Sequence, residues 1–347
     1  MDRVVRVLVV DDSAYIRKVV KKMLSRSPFI EVVGTARDGQ EALELVEQLQ
    51  PDVLTLDLIM PNMDGLELLQ TLRLRRPVPT IILSIASETG EMALEALAAG
   101  AVDFVQKPTA LATEKVFDIT EELIQKVKAA SVVSLTNLQK VMGSVAPAPM
   151  APSVIGSKKV DLVVMGISTG GPQALSFLIP QLPADLSVPV AIVLHMPVGY
   201  TELYANRLNE ICSLKVVEAK DGVPVCPGVV LVAPAGRHLK FVRQPDGTVV
   251  TLLEARPFDT LHRPSVDVLF QSAAEVYGER VLGVVMTGMG SDGKQGAAWI
   301  KSAGGTIFTE AEETCVVYGM PRSVFEAGLS DQVIPLEQMA PAILDML

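Results

Sequence analysis

A serine with glycine two positions to either side, Gly166-Ile-Ser168-Thr-Gly170, follows directly on the apolar run Leu162–Met165. Pro172 then opens a helical pattern over Gln173–Ile179. Strand, Gly-x-Ser-x-Gly and helix is the order in which a sharp turn pushes a serine hydroxyl outward. The glycines admit the strained backbone, and the free amides of the helix N-terminus face a developing oxyanion. A glycine-rich turn that cradles a phosphate is the competing reading. The spacing lacks the G-x-G-x-x-G order of dinucleotide sites, however. A nucleophilic serine needs a base, and the base needs an orienting group.

The chain has three histidines, few enough to weigh singly. His195 closes Val190-Ala-Ile-Val-Leu-His-Met-Pro197, at the C-terminal end of a strand expected to neighbour Leu162–Met165. That puts it on the same sheet edge as Ser168. His238 lies in a strand or turn with no carboxylate nearby in sequence. His262 precedes an amphipathic helix, as a cap or a residue on the substrate side. His195 is therefore the preferred base. An acid is offered by Asp292, in the glycine-rich stretch Met286-Thr-Gly-Met-Gly-Ser-Asp-Gly293 before a helix over Lys294–Ser302. Its ordinary role would be to cap that helix. It could instead accept from the second imidazole nitrogen of His195, fixing the tautomer and stabilising the imidazolium. The order Ser, His, Asp differs from the Ser, acid, His order of the α/β-hydrolases, so that fold is not expected.

A second cluster lies in the first third of the chain. Asp11 and Asp12 end one apolar run, Asp57 ends another, Ser84 a third, and Lys107-Pro108 follows a fourth. Open α/β sheets bind ligands at such strand ends. Three carboxylates on one edge repel one another unless a hard cation lies among them, and Mg²⁺ favours oxygen ligands. A hydroxyl at Ser84 and an ammonium at Lys107 could each take an oxygen of a phosphoryl group on Asp57. Strand-end aspartates also serve as caps, but five suitable residues at suitable strand ends are more than capping requires.

The elements that must hold these residues follow from patterning. Val5–Val10, Val32–Ala36, Val53–Leu58, Thr80–Ile85 and Ala101–Val105 are strand candidates. Ile16, Val19, Val20, Met23 and Leu24 mark an amphipathic helix between the first two. Five βα repeats give a doubly wound parallel sheet. An Ala/Pro-rich spacer spans 143–153, and a second α/β pattern starts at Val160. The expected division is a first domain over 1–126, a helical and then Ala/Pro-rich linker over 127–157, and a second domain over 158–347. At 347 residues and 49% hydrophobic content, two cores are affordable. With 30 basic against 40 acidic residues, the net charge of −10 argues against a nucleic-acid or anionic-membrane partner. Three dispersed cysteines with no Cys-x-x-Cys pair argue against a disulfide framework and a zinc site. No signal-peptide pattern and no bilayer-length apolar run is seen, so a cytoplasmic protein is expected.

Two resemblances gather these observations. Val9-Val-Asp-Asp-Ser13, Asp57-Leu-Ile-Met-Pro-Asn-Met-Asp-Gly65 and Lys107-Pro108 resemble the signatures of two-component receiver domains. The resemblance implies a flavodoxin-like fold and Asp57 as phospho-acceptor. It also implies Mg²⁺ on Asp11, Asp12, the Asp57 carboxylate and the Leu58 carbonyl. Ser84 and Phe104 would be the switch positions, and Lys107 the partner of the acyl phosphate, with a cis bond to Pro108. Gly166-Ile-Ser-Thr-Gly-Gly-Pro172, Leu194-His-Met-Pro197, Arg263-Pro-Ser-Val-Asp267 and Met286–Gly293 resemble the chemotaxis protein-glutamate methylesterases, the CheB family. This implies a second doubly wound, mainly parallel α/β domain, catalytic and without a cofactor. Ser168, His195 and Asp292 would be nucleophile, base and orienting acid.

In that scheme Ser168 attacks a glutamyl methyl ester on a chemoreceptor, and methanol leaves. Backbone amides hold the oxyanion, with Thr169 and Met289 as candidates. Receptor glutamines would be deamidated by the same machinery. A chemotaxis histidine kinase would be the phosphodonor. If the receiver shields the Ser168 edge, phosphorylation would relieve the shielding. An esterase acting on another acyl group, or a response regulator whose second domain only binds a partner, are the alternatives.

Overall fold

The computed structural model describes residues 3–107, 114–133, 160–257 and 259–347, and it divides into two compact units, Met1–Met142 and Gly143–Leu347. Pro108, expected to follow a cis bond, lies outside the described residues, as does the expected linker from 134 to 157. Among the described residues, no helix is long and apolar enough to cross a membrane.

The first unit alternates β1 (Val5–Val10), α1 (Ala14–Leu24), β2 (Ile30–Ala36), α2 (Gly39–Leu49), β3 (Val53–Asp57), α3 (Gly65–Arg75), β4 (Thr80–Ser84), α4 (Ala86–Ala99), β5 (Asp103–Gln106) and α5 (Glu114–Ala130). Its five strands are parallel in the order β2-β1-β3-β4-β5. The central strands β3 and β4 are buried along their whole length, as a sheet covered on both faces requires. Three of the helices begin with a side-chain cap, Ser13 on Ile16 N, Asp38 on Glu41 N and Asp64 on Glu67 N. These caps fix where the loops at the strand ends stop and so define the acidic edge.

The second unit holds a seven-stranded parallel sheet. Its strands are β6 (Leu162–Ile167), β7 (Val190–Leu194), β8 (Lys215–Glu218), β9 (Val229–Val232), β12 (Val281–Val285), β13 (Thr306–Glu310) and β14 (Gln332–Ile334). Their order is β14-β13-β12-β6-β7-β9-β8. A separate antiparallel hairpin, β10 (His238–Arg243) with β11 (Val249–Glu254), precedes the long helix α8 (Val266–Tyr277). The other helices are α6 (Gly171–Leu178), α7 (Thr201–Ile211), α9 (Lys294–Ser302), α10 (Met320–Glu326) and α11 (Leu336–Leu344).

All six residues of β6 are buried. At roughly 1.5–3 kcal/mol for each large aliphatic side chain, this strand is the fixed axis of the unit. Helix α8 packs directly on it, because a Cβ at Gly166 would collide with Val266. The neighbours of β6 are β12 on one side and β7 on the other, both parallel. Three adjacent strands therefore end together, and their following loops share one edge.

Candidate active site

The serine turn comes first. Ile167 pairs with Leu194, and His195 N donates to Ile167 O at 3.1 Å, so the next residues, Ser168 and His195, stand side by side. On the other flank, Ser168 N donates to Thr287 O at 3.0 Å, extending the β12–β6 pairing beyond the strand ends. The turn closes with Gly171 N donating to Ser168 O at 2.7 Å. Gly170, at φ 79°, caps α6 in the left-handed region, where a side chain would be strained and would also strike Val316. The helix thus begins at Gly171, two residues earlier than the pattern from Gln173 suggests.

Asp292 reaches His195 across the turn after β12. Its Oδ2 lies 2.8 Å from His195 Nε2, and both side chains are largely buried. The other ring nitrogen, Nδ1, is buried and has no hydrogen-bond partner among the described residues. That leaves Nδ1 as the acceptor available for a serine proton. Ser168 Oγ is not hydrogen-bonded to it in this structure; such contacts commonly tighten only once substrate is bound. His262 completes the face, stacked on the His195 ring with centroids 4.0 Å apart and planes 20° from parallel.

Asp292 does not cap its own helix α9. It caps α8 instead, accepting from Val266 N at 2.8 Å, Asp267 N at 3.0 Å and Ser265 Oγ at 2.8 Å. Asp267 returns the favour to α9, where its Oδ1 accepts from Gly293 N at 2.9 Å and Gly296 N at 2.7 Å. The α8 N-terminus is thus met by the carboxylate that precedes α9, and the α9 N-terminus by a carboxylate in the first turn of α8. Burial works to raise the Asp292 carboxyl, but His195 and the α8 amides outweigh it and hold it well below the usual carboxylate range. Asp267 is pushed the opposite way, by burial and by the Asp292 charge. His238 belongs to the same support. It is fully buried, its Nδ1 accepts from Ser265 N at 3.2 Å, and its Nε2 donates to Pro257 O at 3.0 Å. Burial pushes its pKa down.

The expected oxyanion donors lie on the two loops that flank the serine. No described acceptor takes the Met289 amide. Thr169 is held through its carbonyl, which accepts from Thr287 Oγ1 at 2.9 Å. Gly288 lies against the serine itself, since a Cβ there would come within 2.8 Å of Ser168 Cβ and 2.5 Å of Met320 Sδ.

In the first unit, Asp11, Asp12 and Asp57 converge, with carboxylate oxygens within 4.8 Å of one another. Three hard oxygen donors with an open side fit Mg²⁺. Lys107 Nζ lies 2.7 Å from Asp57 Oδ2 and 3.1 Å from Asp11 Oδ2. Burial raises the Asp11 carboxyl. For Lys107 burial acts downward, but the two carboxylates overcome it and raise its pKa. The Leu58 carbonyl, expected among the ligands, accepts the Gly65 amide at 3.0 Å, so one of its lone pairs is engaged in the β3–α3 loop. Ser84, at the end of β4, and Phe104, on β5, are both buried, one and two strands beyond Asp57. Lys126 Nζ donates to Phe104 O at 2.8 Å and pairs with Asp103, tying α5 to the Phe104 strand.

Comparison with known proteins agrees with both halves of this geometry. The model of the CheB methylesterase family matches residues 163–343, and that of the response regulator receiver domain matches 7–115. The chain belongs to the CheB methylesterase family. It is 51% identical over 338 residues, 96% of each chain, to protein-glutamate methylesterase/protein-glutamine glutaminase 5 of Myxococcus xanthus. It is 44% identical to the protein of the same name from Symbiobacterium thermophilum, covering 99% of this chain and 97% of that one. Among solved structures it is similar to the Thermotoga maritima CheB methylesterase catalytic domain. That match has a TM-score of 0.53 and 41% identity, and covers 55% of this chain and all of the other. The family thus pairs a receiver with a methylesterase domain, and both parts are present here.

Proposed function

We propose that this chain is a phosphorylation-activated serine hydrolase that demethylates glutamyl methyl esters and deamidates glutamines on chemoreceptors. The observation that carries the reading is the buried Asp292–His195 pair beside Ser168. Nε2–H of His195 donates to Asp292, so the lone pair of Nδ1 takes the Ser168 proton as Oγ attacks the ester carbonyl. The free Met289 amide and the Thr169 amide would take the tetrahedral oxyanion, each such donor contributing roughly 3 kcal/mol. The imidazolium then gives its proton to the departing methanol, or to ammonia from a glutamine. Water hydrolyses the acyl-enzyme with His195 again as base. Apart from the hydrolytic water, every group in these steps is a side chain or backbone amide of this domain.

In the receiver, Asp57 is the proposed phospho-acceptor for a chemotaxis histidine kinase. Asp11, Asp12 and Asp57 would hold Mg²⁺, which when bound neutralises phosphoryl oxygens. Lys107 already bridges Asp57 and Asp11 and would hold one of those oxygens, while Ser84 and Phe104 would adjust to the phosphoryl group. The proposed parts are the receiver over 1–126, a linker over 127–157 and the catalytic domain over 158–347.

The test uses a methylated, glutamine-bearing receptor fragment incubated with wild type and Asp57→Ala, each with and without a small-molecule phosphodonor. Peptide masses report both loss of methyl and conversion of glutamine to glutamate. The reading predicts both conversions, stimulated by the donor in wild type alone. No conversion by phosphorylated wild type would overturn it.

A further inference from the structure

Beneath the serine turn lies a buried carboxylate that no step above uses. Glu310, the last residue of β13, is 0% exposed, and no cation pairs with it among the described residues. Its Oε2 accepts from Thr287 N at 2.8 Å. The Thr287 amide points away from β6, at the level where β13 has ended, and the Glu310 carboxyl takes the place of a missing strand carbonyl. Thr287 is in turn the knot of the site. Its carbonyl accepts Ser168 N, its hydroxyl donates to Thr169 O at 2.9 Å, and the same hydroxyl accepts Val317 N at 3.0 Å. The neighbouring Gly288 N donates to Val317 O at 3.0 Å and its Cα faces Ser168.

We infer that Glu310 is a positioning residue for the Ser168 reaction, clamping Thr287 so that the nucleophile turn and the Met289 amide keep their relative positions. The inference rests on Ser168 being the nucleophile. Without an acceptor the buried Thr287 amide would have to turn toward another partner. Because Thr287 holds Ser168 N through its carbonyl and Thr169 O through its hydroxyl, its displacement moves both the serine and one edge of the oxyanion site.

The carboxyl can hold Thr287 whether or not it carries a proton. Oε1 lies 3.0 Å from Thr314 Oγ1, which also lies 3.2 Å from Ala311 O and accepts Leu336 N at 3.1 Å. Thr314 Oγ1 donates to Oε1 of the ionised carboxylate, and accepts from a protonated Oε1 when its own hydrogen turns to Ala311 O. Oε2 stays free for Thr287 in either state. Burial pushes Glu310 up to about 7 against the pull of the Thr287 amide and the Thr314 hydroxyl, with the Glu337 charge adding to the rise, so both forms are present near neutrality.

The experiment measures the rate at which a fluorophosphonate labels Ser168 in the full-length protein. Ser168 Oγ displaces fluoride at phosphorus while His195 takes the proton, so the reading needs no receptor. Glu310→Leu and Glu310→Met fill the space without an acceptor, and Glu310→Gln keeps one, with folding checked by circular dichroism. The apolar variants should label roughly 10- to 100-fold more slowly, the scale of a misplacement of an ångström or less, and glutamine should recover most of the rate. With a small ester substrate the loss should fall on kcat and leave KM within about twofold. Thr287→Val keeps the amide bond to Glu310 but cuts the hydroxyl links to Thr169 and Val317. It should show the same kind of loss, and it reads the clamp even where an apolar residue at 310 does not fold. Wild-type rates in the folded apolar variants, or in Thr287→Val, would overturn the inference alone. Absence of wild-type labelling at Ser168 would overturn the nucleophile assignment and the inference with it.

Discussion

Asparagine at position 292 separates the two jobs of that side chain. The carboxylate accepts from His195 Nε2, Ser265 Oγ, Val266 N and Asp267 N, all within 3.0 Å, and from Gly293 N at 3.1 Å. Oδ1 takes Ser265, Asp267 and Gly293, whereas Oδ2 takes His195 and Val266. An asparagine oriented to keep its oxygen at Oδ1 therefore retains most of the cap and presents an NH₂ to two donors. The imidazole can accept from that NH₂ only in the other tautomer, which puts a hydrogen on Nδ1, facing Ser168. The base is then blocked. The expected fall in kcat is roughly 10⁴-fold, about 5 kcal/mol in the barrier. The lost Val266 cap should cost only about 1–2 kcal/mol of stability. Because the Asp292 pKa is lowered, its contribution to stability is present above the ordinary value of 3.8 and is lost as pH falls through the lower folded value. Wild type should lose this component in acid, and Asp292→Asn should lack it. Methyl-ester turnover and urea unfolding, each across pH, measure both effects. A variant that folds yet keeps kcat within tenfold of wild type would refute the orienting role and leave Asp292 as a helix cap only.

Gly288→Ala places a methyl 2.8 Å from Ser168 Cβ and 2.5 Å from Met320 Sδ, so it should lower kcat sharply and cost about 1–3 kcal/mol in urea unfolding. Asp267 has a raised pKa, so its ionisation costs stability above its folded value, and that cost vanishes below 3.8. Asp267→Asn keeps the Oδ1 acceptor for Gly293 and Gly296 and removes the charge beside Asp292. It should be more stable than wild type at pH 8, on the order of 1 kcal/mol after solvent screening, with the gap closing by about pH 4. Lys107→Ala leaves Asp11 and Asp57 without their shared cation, so added Mg²⁺ should raise its melting temperature more than that of wild type in a thermal-shift titration.

Strand ends were the most legible feature of the sequence. Apolar runs of four to six residues, each followed by a polar or glycine-rich turn, located β1, β3, β4, β7 and β12 to within about a residue, while β6 runs two residues beyond its expected end at Met165. A parallel α/β sheet then brings the residues after its strands to one edge. Ser168, His195 and Asp292 were visible for that reason, and β6 does lie beside β7. Strand β5 was shifted: Ala101 and Val102 are buried, but the pairing begins at Asp103. The buried polar support was not legible. Asp292 looks like the cap of the helix that follows it, because a local reading sees only local amides. Its actual targets on α8 lie some 25 residues away in sequence. His238, Ser265 and Glu310 likewise act through partners distant in the chain, and their neighbours in sequence give no sign of it. Ser265 before the strongly apolar helix α8 reads in the sequence as an ordinary N-cap, and only the structure shows that it makes no cap bond and that the acceptor comes from Asp292.

The central claim is that Ser168, driven by His195 and Asp292, opens a glutamyl methyl ester. Methanol release from methylated chemoreceptor by wild type, Ser168→Ala and His195→Ala tests it most directly, each with and without phosphodonor for Asp57. The account predicts release from wild type that rises with the donor, and none above background from either variant. Release by Ser168→Ala at the wild-type rate, or none from phosphorylated wild type, would contradict it.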